Sequence, residues 1–259
     1  MFFNNPGKIK KRAGQMSELK KAVITGATSG IGFALAQALA QSGRQVLAIG
    51  RNPDNLAKLK EAGDIATLAA DIRDSEAVLP EIQKFSPDIL VNNAGVGHGI
   101  DGLDNLPLHL IQEAVDINVT TPIKLTAAVM EEMRAQGKGH IVNIGSIAGL
   151  HTLYSALYGA TKSAVHLFSQ NLRAELSGTP IRVTEICPGR VSTCFFHAAT
   201  GNAERMNALS QSGITELRPA DVAQAVLFAL DAPAHVNIST IELMPVEQAV
   251  GGMKMNPVT

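Results

Sequence analysis

The stretch that most constrains this chain is "KAVITGATSGIGFALAQALAQSG", from Lys21 to Gly43. A β-branched apolar run ends at Gly26. Two more glycines follow, at Gly30 and Gly32, before an Ala- and Leu-rich run with helical spacing. Glycines in a strand-to-helix turn allow a tight bend, close approach of a ligand to the backbone, and close packing of helix on strand. The start of the helix then offers free N–H groups and the positive end of its dipole to a phosphate. Thr28, Ser29 and Ile31, inside the same turn, complete this candidate phosphate site. The plain alternative is an ordinary Gly-rich turn. It is outweighed by the position of the glycines, which open the first helix of a long alternation.

That alternation runs the length of the chain. Strand-like runs "QVLAIG", "IATLAAD", "DILVNNAG", "GHIVNIGS", "IRVTEICPG" and "NISTIELMPV" are separated by helical patterns. These helices are expected over 74–85, 107–135 and 155–177, and in "DNLAKLKEAG" and "RPADVAQAVLFAL". The order implies an α/β fold with a Rossmann-like parallel sheet and helices on both faces. The strands are apolar on both faces, as a buried parallel sheet requires. No repeat or linker marks a boundary, so residues 18–259 are expected to form a single domain. Residues 1–17, basic and without an apolar centre, read as an N-terminal leader or flexible arm. Residues 192–216, polar and aperiodic, read as a substrate loop able to act as a lid.

Composition narrows the function classes. The formal net charge is −1 and charged residues make up 17%. That gives no electrostatic footprint for nucleic acid or an anionic membrane. No apolar run approaches the roughly 20 residues needed to span a bilayer. The two cysteines, Cys187 and Cys194, fit a reducing cytoplasm better than a disulfide scaffold. The histidines show no zinc-ligand spacing, and no metal site is expected.

The end of the second strand bears on cofactor choice. An acidic residue there would accept from the ribose hydroxyls of NAD, and a basic one would pair with the 2′-phosphate of NADP. Here Gly50 occupies the acidic position and Arg51 follows, which favours NADP; a solvated surface arginine is the alternative. Asp71, with Ile72 beside it at the end of strand three, lies where an adenine amino group could be met. A helix cap is the other use for Asp71, although Asp74 suits that better.

Both tyrosines of the chain lie in "YSALYGATK". Tyr158 and Lys162 are one helical turn apart on one face. A phenol is a poor acid–base group at neutral pH, and a nearby cation favours its ionised form. The pair could then exchange a proton with a carbonyl or alcohol oxygen. Ser146, upstream at the end of strand five, could hold that oxygen, or could serve only as a turn or cap residue. Tyr154 has no such partner. It is expected at the rim of the substrate pocket, with a packing role as the equal alternative.

These motifs together resemble the short-chain dehydrogenase/reductase family. The resemblance rests on "TGATSGIG", "ADI", "NNAG", "INV" around Asn118, "GSIAG", "YGATK" and "PGRVST", in family order and spacing. It implies that Ser146, Tyr158 and Lys162 are catalytic, with Asn118 supporting a proton relay. It implies that Asn93 and Gly95 line the cofactor and that Pro188, Gly189, Val191 and Thr193 lie against it, Val191 and Thr193 at the nicotinamide amide. It also implies a seven-stranded doubly wound sheet and a homo-oligomer, tetramer or dimer. "PAHVNISTIELMPVEQ" is similar to the NADP-dependent 3-hydroxy acid dehydrogenase branch, which acts on serine, allo-threonine and related short compounds. Two features depart from that branch: a shorter segment between Ser146 and Tyr158, and Arg190 in place of an apolar residue. Both touch the substrate side, and Arg190 joins Ser146, Tyr154 and Tyr158 as a candidate substrate residue.

The expected activity is NADP(H)-dependent hydride transfer to or from a small polar hydroxy or carbonyl compound. Alternatives are reduction of an unrelated ketone or 3-oxoacyl substrate, and a non-catalytic NADP-sensing regulator. Sugar-nucleotide epimerases share the Tyr–Lys pair but carry a larger C-terminal substrate domain, and only a short tail follows the last expected strand here.

Overall fold

A computed structural model of the chain describes residues 19–100, 102–104, 106–153, 155–195 and 213–249. The aliphatic runs form strands β1 (Lys21–Thr25), β2 (Gln45–Gly50), β3 (Ile65–Ala69), β4 (Ile89–Asn92), β5 (Gly139–Ile144), β6 (Ile181–Pro188) and β7 (Thr240–Leu243). They make one seven-stranded sheet in the order β3-β2-β1-β4-β5-β6-β7, with every pairing parallel. The doubly wound sheet expected from the alternation is therefore present.

Successive side chains of a strand point to opposite faces, so a strand buried on both sides feeds two cores. In β1, Ala22 and Ile24 enter one core and Val23 the other. The first core is closed by α1 (Gly30–Gln41), α2 (Pro53–Lys60) and α8 (Pro219–Leu230), through Leu35, Leu39, Leu56, Leu59, Val222 and Val226. The second is closed by α3 (Ser75–Phe85), α5 (Thr121–Gln136) and α7 (Ala156–Glu175), through Val78, Ile82, Leu125, Val129, Met133 and Leu172. In the helices that contribute two or more, these residues recur at three- or four-residue steps, which keeps them on one stripe. Each buried aliphatic side chain contributes about 1.5–3 kcal/mol relative to exposure.

β1 lies between β2 and β4, so the strand order reverses there. The carboxyl ends of the strands around such a reversal open a crevice.

The structure departs from the sequence reading at three elements. The long helix expected over 107–135 is α4 (Leu108–Val115) and α5, joined by one π-helical turn over Asp116–Thr120. A short helix, α6 (Ile147–Leu150), follows β5. The last strand starts only at Thr240, because Asn237 already pairs through its side chain: Oδ1 accepts from Val183 N at 2.8 Å and Nδ2 donates to Val183 O at 3.1 Å. The expected leader, Tyr154, and most of the loop over 192–216 lie outside the described residues. Among the described residues no helix is long and apolar enough to cross a membrane. No group of three or more His, Cys, Asp or Glu among them is placed to hold a metal ion.

Candidate active site

The glycine turn is held by the residues that directly follow β4. Thr25 Oγ1 accepts from the backbone N–H of Asn93 and of Ala94, both at 3.0 Å. Asn93 Nδ2 donates to Thr25 O at 2.8 Å and to Gly26 O at 3.2 Å. Gly26 has φ +66°, a conformation that L side chains rarely adopt. A Cβ at Gly32 would lie 2.3 Å from the Gly26 carbonyl oxygen and 2.5 Å from Asn93 Nδ2. Gly30 also has a positive φ, +51°, so all three glycines are dictated by backbone geometry, and Asn93 acts as the brace of the turn.

The turn delivers the start of α1 without filling it. The cap residue Ser29 makes no side-chain cap hydrogen bond, and the first turn of α1 holds no acidic residue. Its N–H groups and dipole remain for an anion.

One cleft of ≈ 510 Å³ gathers the candidate residues. Gly26, Thr28, Ser29, Gly30, Ile31, Arg51, Asp71, Ile72, Asn93 and Gly95 line it from the β1–β4 side. Ser146, Tyr158, Lys162, Pro188, Gly189, Arg190, Val191 and Thr193 line it from the β5–β6 side. Gly32 and Asn118 lie behind its wall: Gly32 in the buried first turn of α1, Asn118 in the π-helical turn.

At the outer end, Asp71 is committed to Arg73. Arg73 Nη2 donates to Asp71 Oδ2 at 2.7 Å and its Nε to Oδ1 at 3.0 Å. The paired guanidinium holds the Asp71 carboxyl at about 2. The alternative of a helix cap is met elsewhere: Asp74 Oδ1 accepts from Ala77 N at 3.1 Å at the start of α3. Asp71 therefore borders the cleft as a permanent carboxylate near neutral pH.

At the inner end, Ser146 caps α6, its Oγ accepting from Ala148 N at 3.1 Å. Its side chain lies close enough to the Tyr158 hydroxyl to favour the phenolate. Lys162 is 6% exposed, and its Nζ donates to Ile144 O at 2.8 Å. That Nζ lies 5.8 Å from the centre of the Tyr158 ring, as expected for one helical turn. The ring of Phe195 packs 5.5 Å from that of Tyr158, tilted at 57°.

The electrostatics correct one sequence expectation. Lys162 was expected to lower the Tyr158 phenol. Instead burial pushes Tyr158 up to about 12, and Ser146 pulls only partly the other way. Burial also pushes Lys162 down to about 8. In the cofactor-free protein desolvation dominates, so the phenol is held protonated near neutral pH.

Asn118 is held more tightly than a surface asparagine. The π-helical turn presents its side chain to Val96: Oδ1 accepts from Val96 N at 2.8 Å, and Nδ2 donates to Val96 O at 2.9 Å. Nδ2 also donates to Thr161 Oγ1 at 3.0 Å, one residue before Lys162. Asn118 thus ties the loop after β4 to α7.

Arg190 lines the cleft, but its Nε is engaged by the Glu216 carboxylate. Its backbone N–H donates to Gln248 Oε1 at 2.8 Å. Gln248, Ile147 and Phe195 also line the cleft and were not among the candidates. Gln248 lies far along the chain in an irregular segment, and no pattern in its neighbours marks it.

Comparisons with known proteins point to one family. The family described as short chain dehydrogenase matches residues 20–204. An NADP-dependent 3-hydroxy acid dehydrogenase of Escherichia coli (strain K12) is 38% identical over 248 residues, covering 90% of this chain and 98% of that protein. An uncharacterised short-chain type dehydrogenase/reductase of Sinorhizobium fredii is 39% identical over 243 residues, covering 93% of this chain and 97% of that protein. The solved closed form of a serine dehydrogenase complexed with NADP+ superposes with a TM-score of 0.85 at 34% identity, covering 92% of this chain and 100% of that one. The match over residues 20–204 and relatives of this identity and coverage show that the chain belongs to the short-chain dehydrogenase family.

Proposed function

We propose that the protein is an NADP(H)-dependent oxidoreductase acting on a small polar hydroxy or carbonyl compound of the 3-hydroxy acid type. One observation carries the reading: Ser146, Tyr158 and Lys162 meet in the same cleft as the glycine turn and Arg51. The relatives named for NADP, 3-hydroxy acids and serine support the cofactor and the substrate class.

The residues present fit a dinucleotide. The glycine turn and the uncapped start of α1 suit a pyrophosphate. Gly50 leaves no acid at the end of β2, and Arg51 supplies a cation for a 2′-phosphate. Asp71 and Ile72 border the adenine end, and Asn93, Gly95, Pro188, Gly189, Val191 and Thr193 border the rest. When bound, the nicotinamide supplies or accepts the hydride.

The chain's own residues handle the proton and the substrate oxygen. Ser146 Oγ orients the oxygen beside the Tyr158 hydroxyl. Tyr158, protonated up to about pH 12 in the free protein, gives its proton to a carbonyl oxygen in reduction. Taking a proton from an alcohol needs a positive charge near the phenol, and Lys162 on the next turn carries one. Lys162 also holds the ribose. Asn118 keeps α7 and the loop after β4 in register and supports the proton relay from the far side. Arg190, with Glu216 against it, completes the substrate end.

The same reading includes a homo-oligomer, dimer or tetramer. Ile123 on α5 and Leu167 on α7 are apolar and 41% and 56% exposed, which supports an interface over these helices. It also includes a reducing cytoplasmic setting and residues 18–259 as one domain.

The test is a screen of serine, allo-threonine, 3-hydroxypropionate and short aldehydes against NADP and NAD. Turnover with at least one such compound and a preference for NADP is expected. Turnover confined to bulky ketones, or to NAD, would refute the reading.

A further inference from the structure

The last residue of β2, Gly50, is a glycine for a reason that its own backbone does not supply. It is buried, stands in register with Ala69 of β3, and its carbonyl accepts from Ala70 N at 3.0 Å. Its φ is not positive, so the conformation suits an ordinary L residue. Glycine in a strand gives up packing and entropy, so a side chain here would be favoured on backbone grounds. What forbids one is Thr28. A Cβ on Gly50 would stand 2.6 Å from Thr28 Cγ2, 3.2 Å from its Oγ1 and 3.4 Å from its Cβ.

Thr28 has little room to give way. Three staggered positions surround its Cβ, and a branched side chain fills two of them. The two that are filled both face Gly50. A turn about χ1 can empty one of them, and a heavy atom then still occupies the other. The backbone of Thr28 is pinned as well. Ala27 N donates to Ile49 O at 3.0 Å, which ties the glycine turn to β2 directly before Gly50. Thr28 O accepts from Asn55 Nδ2 at 3.0 Å, and Asn55 N donates to Asn52 Oδ1 at 3.0 Å, so the start of α2 holds the other side.

Thr28, Gly50 and Arg51 all line the cleft at the end of β2. This is where an acidic side chain would accept from the ribose hydroxyls of NAD. Such an acid needs a Cβ on Gly50, and Thr28 stands over that place. Arg51 supplies a cation for a 2′-phosphate, yet a cation does not by itself keep an acid from the residue before it. The contact between Thr28 and Gly50 does.

We propose that Thr28 and Gly50 form one specificity-determining unit: the branched side chain of Thr28 fills the space over Gly50, so the acid that recognises NAD cannot be seated there unless Thr28 is trimmed. Cofactor choice is then set by the shape of the glycine turn as well as by Arg51. The inference rests on the proposed preference for NADP.

Two mutant cycles test it. The first reads Tm without cofactor, and uses Gly50→Ala because Gly50→Asp can fail to fold beside Thr28. Gly50→Ala should lower Tm by about 2 °C or more in the wild type. In a Thr28→Ala background the loss should shrink or vanish. An equal loss in both backgrounds overturns the inference. The second cycle reads dissociation constants for NADH and NADPH by fluorescence. In the Thr28→Ala background Gly50→Asp should tighten NADH by about tenfold or more, the worth of a hydrogen bond to a charged group. With Thr28 in place the same substitution should leave NADH within about twofold of wild type or weaker. Equal tightening in both backgrounds, or none in either, overturns the inference. Thr28→Val keeps both branches and loses the hydroxyl, so it should block Gly50→Asp as threonine does. Tightening of NADH in that double variant also overturns the inference. A wild type that binds NADH as tightly as NADPH would refute the proposed preference for NADP and the specificity role with it, a failure seen in the wild type alone.

Discussion

Replacing Lys162 with methionine should stabilise this protein while abolishing its turnover. The side chain is 6% exposed, and its one conventional hydrogen bond among the described residues goes to Ile144 O at 2.8 Å. Burial pushes its pKa from the ordinary 10.5 to about 8. Below pH 8 that difference amounts to about 3 kcal/mol against the folded, charged form. Methionine keeps the length and apolar stem but removes the charge. Loss of the charged bond to Ile144 O returns about 2 kcal/mol, leaving a gain of about 1 kcal/mol near pH 7. For a chain of this size that corresponds to about 2–4 °C in Tm. The pH dependence follows from the protons bound in each state. Between about 8 and 10.5 the unfolded lysine holds a proton that the folded one has lost, so wild-type stability rises with pH across that window. The advantage of methionine should therefore be full below pH 8 and shrink towards pH 10.5. Thermal unfolding by circular dichroism at pH 7, 8.5 and 10 measures it. A Tm at pH 7 equal to or below wild type would refute the reasoning, as would a gain that does not fall with pH.

Gly32→Ala should destabilise the protein by about 1–3 kcal/mol and weaken NADPH binding, because its Cβ would stand 2.3 Å from Gly26 O; unchanged Tm and NADPH fluorescence would contradict this. Arg51→Ala should raise the KM for NADPH far more than that for NADH, and an equal effect on both would remove Arg51 from cofactor selection.

Much of the fold could be read in the sequence because a parallel sheet writes itself as apolar strands between amphipathic helices. The glycine turn was equally legible, since Gly26 and Gly32 are fixed by backbone geometry that few other residues tolerate. Ser146, Tyr158 and Lys162 were placed in one cleft by strand order and a one-turn helical step. What escaped depends on backbone or on distant contacts. The π-helical turn that directs Asn118 at Val96 changes the hydrogen-bond step without changing the apolar stripe. The late start of β7 comes from the Asn237 side chain standing in for backbone pairing with Val183. The Tyr158 phenol escaped for an energetic reason: spacing shows that a cation is near, but only packing shows how much water has been removed. Glu185 left a trace, a charge within an apolar strand, yet its partner His166 becomes visible only once α7 lies on β6.

The central claim is that Tyr158 donates and accepts the proton in a site built around NADP. Its most direct test is Tyr158→Phe, which removes one hydroxyl and keeps the ring that packs on Phe195. The measurement pairs kcat with the dissociation constant for NADPH, read by fluorescence. The account expects kcat to fall by about three orders of magnitude or more, with NADPH affinity within a few-fold of wild type. Turnover retained within about tenfold of wild type would contradict it.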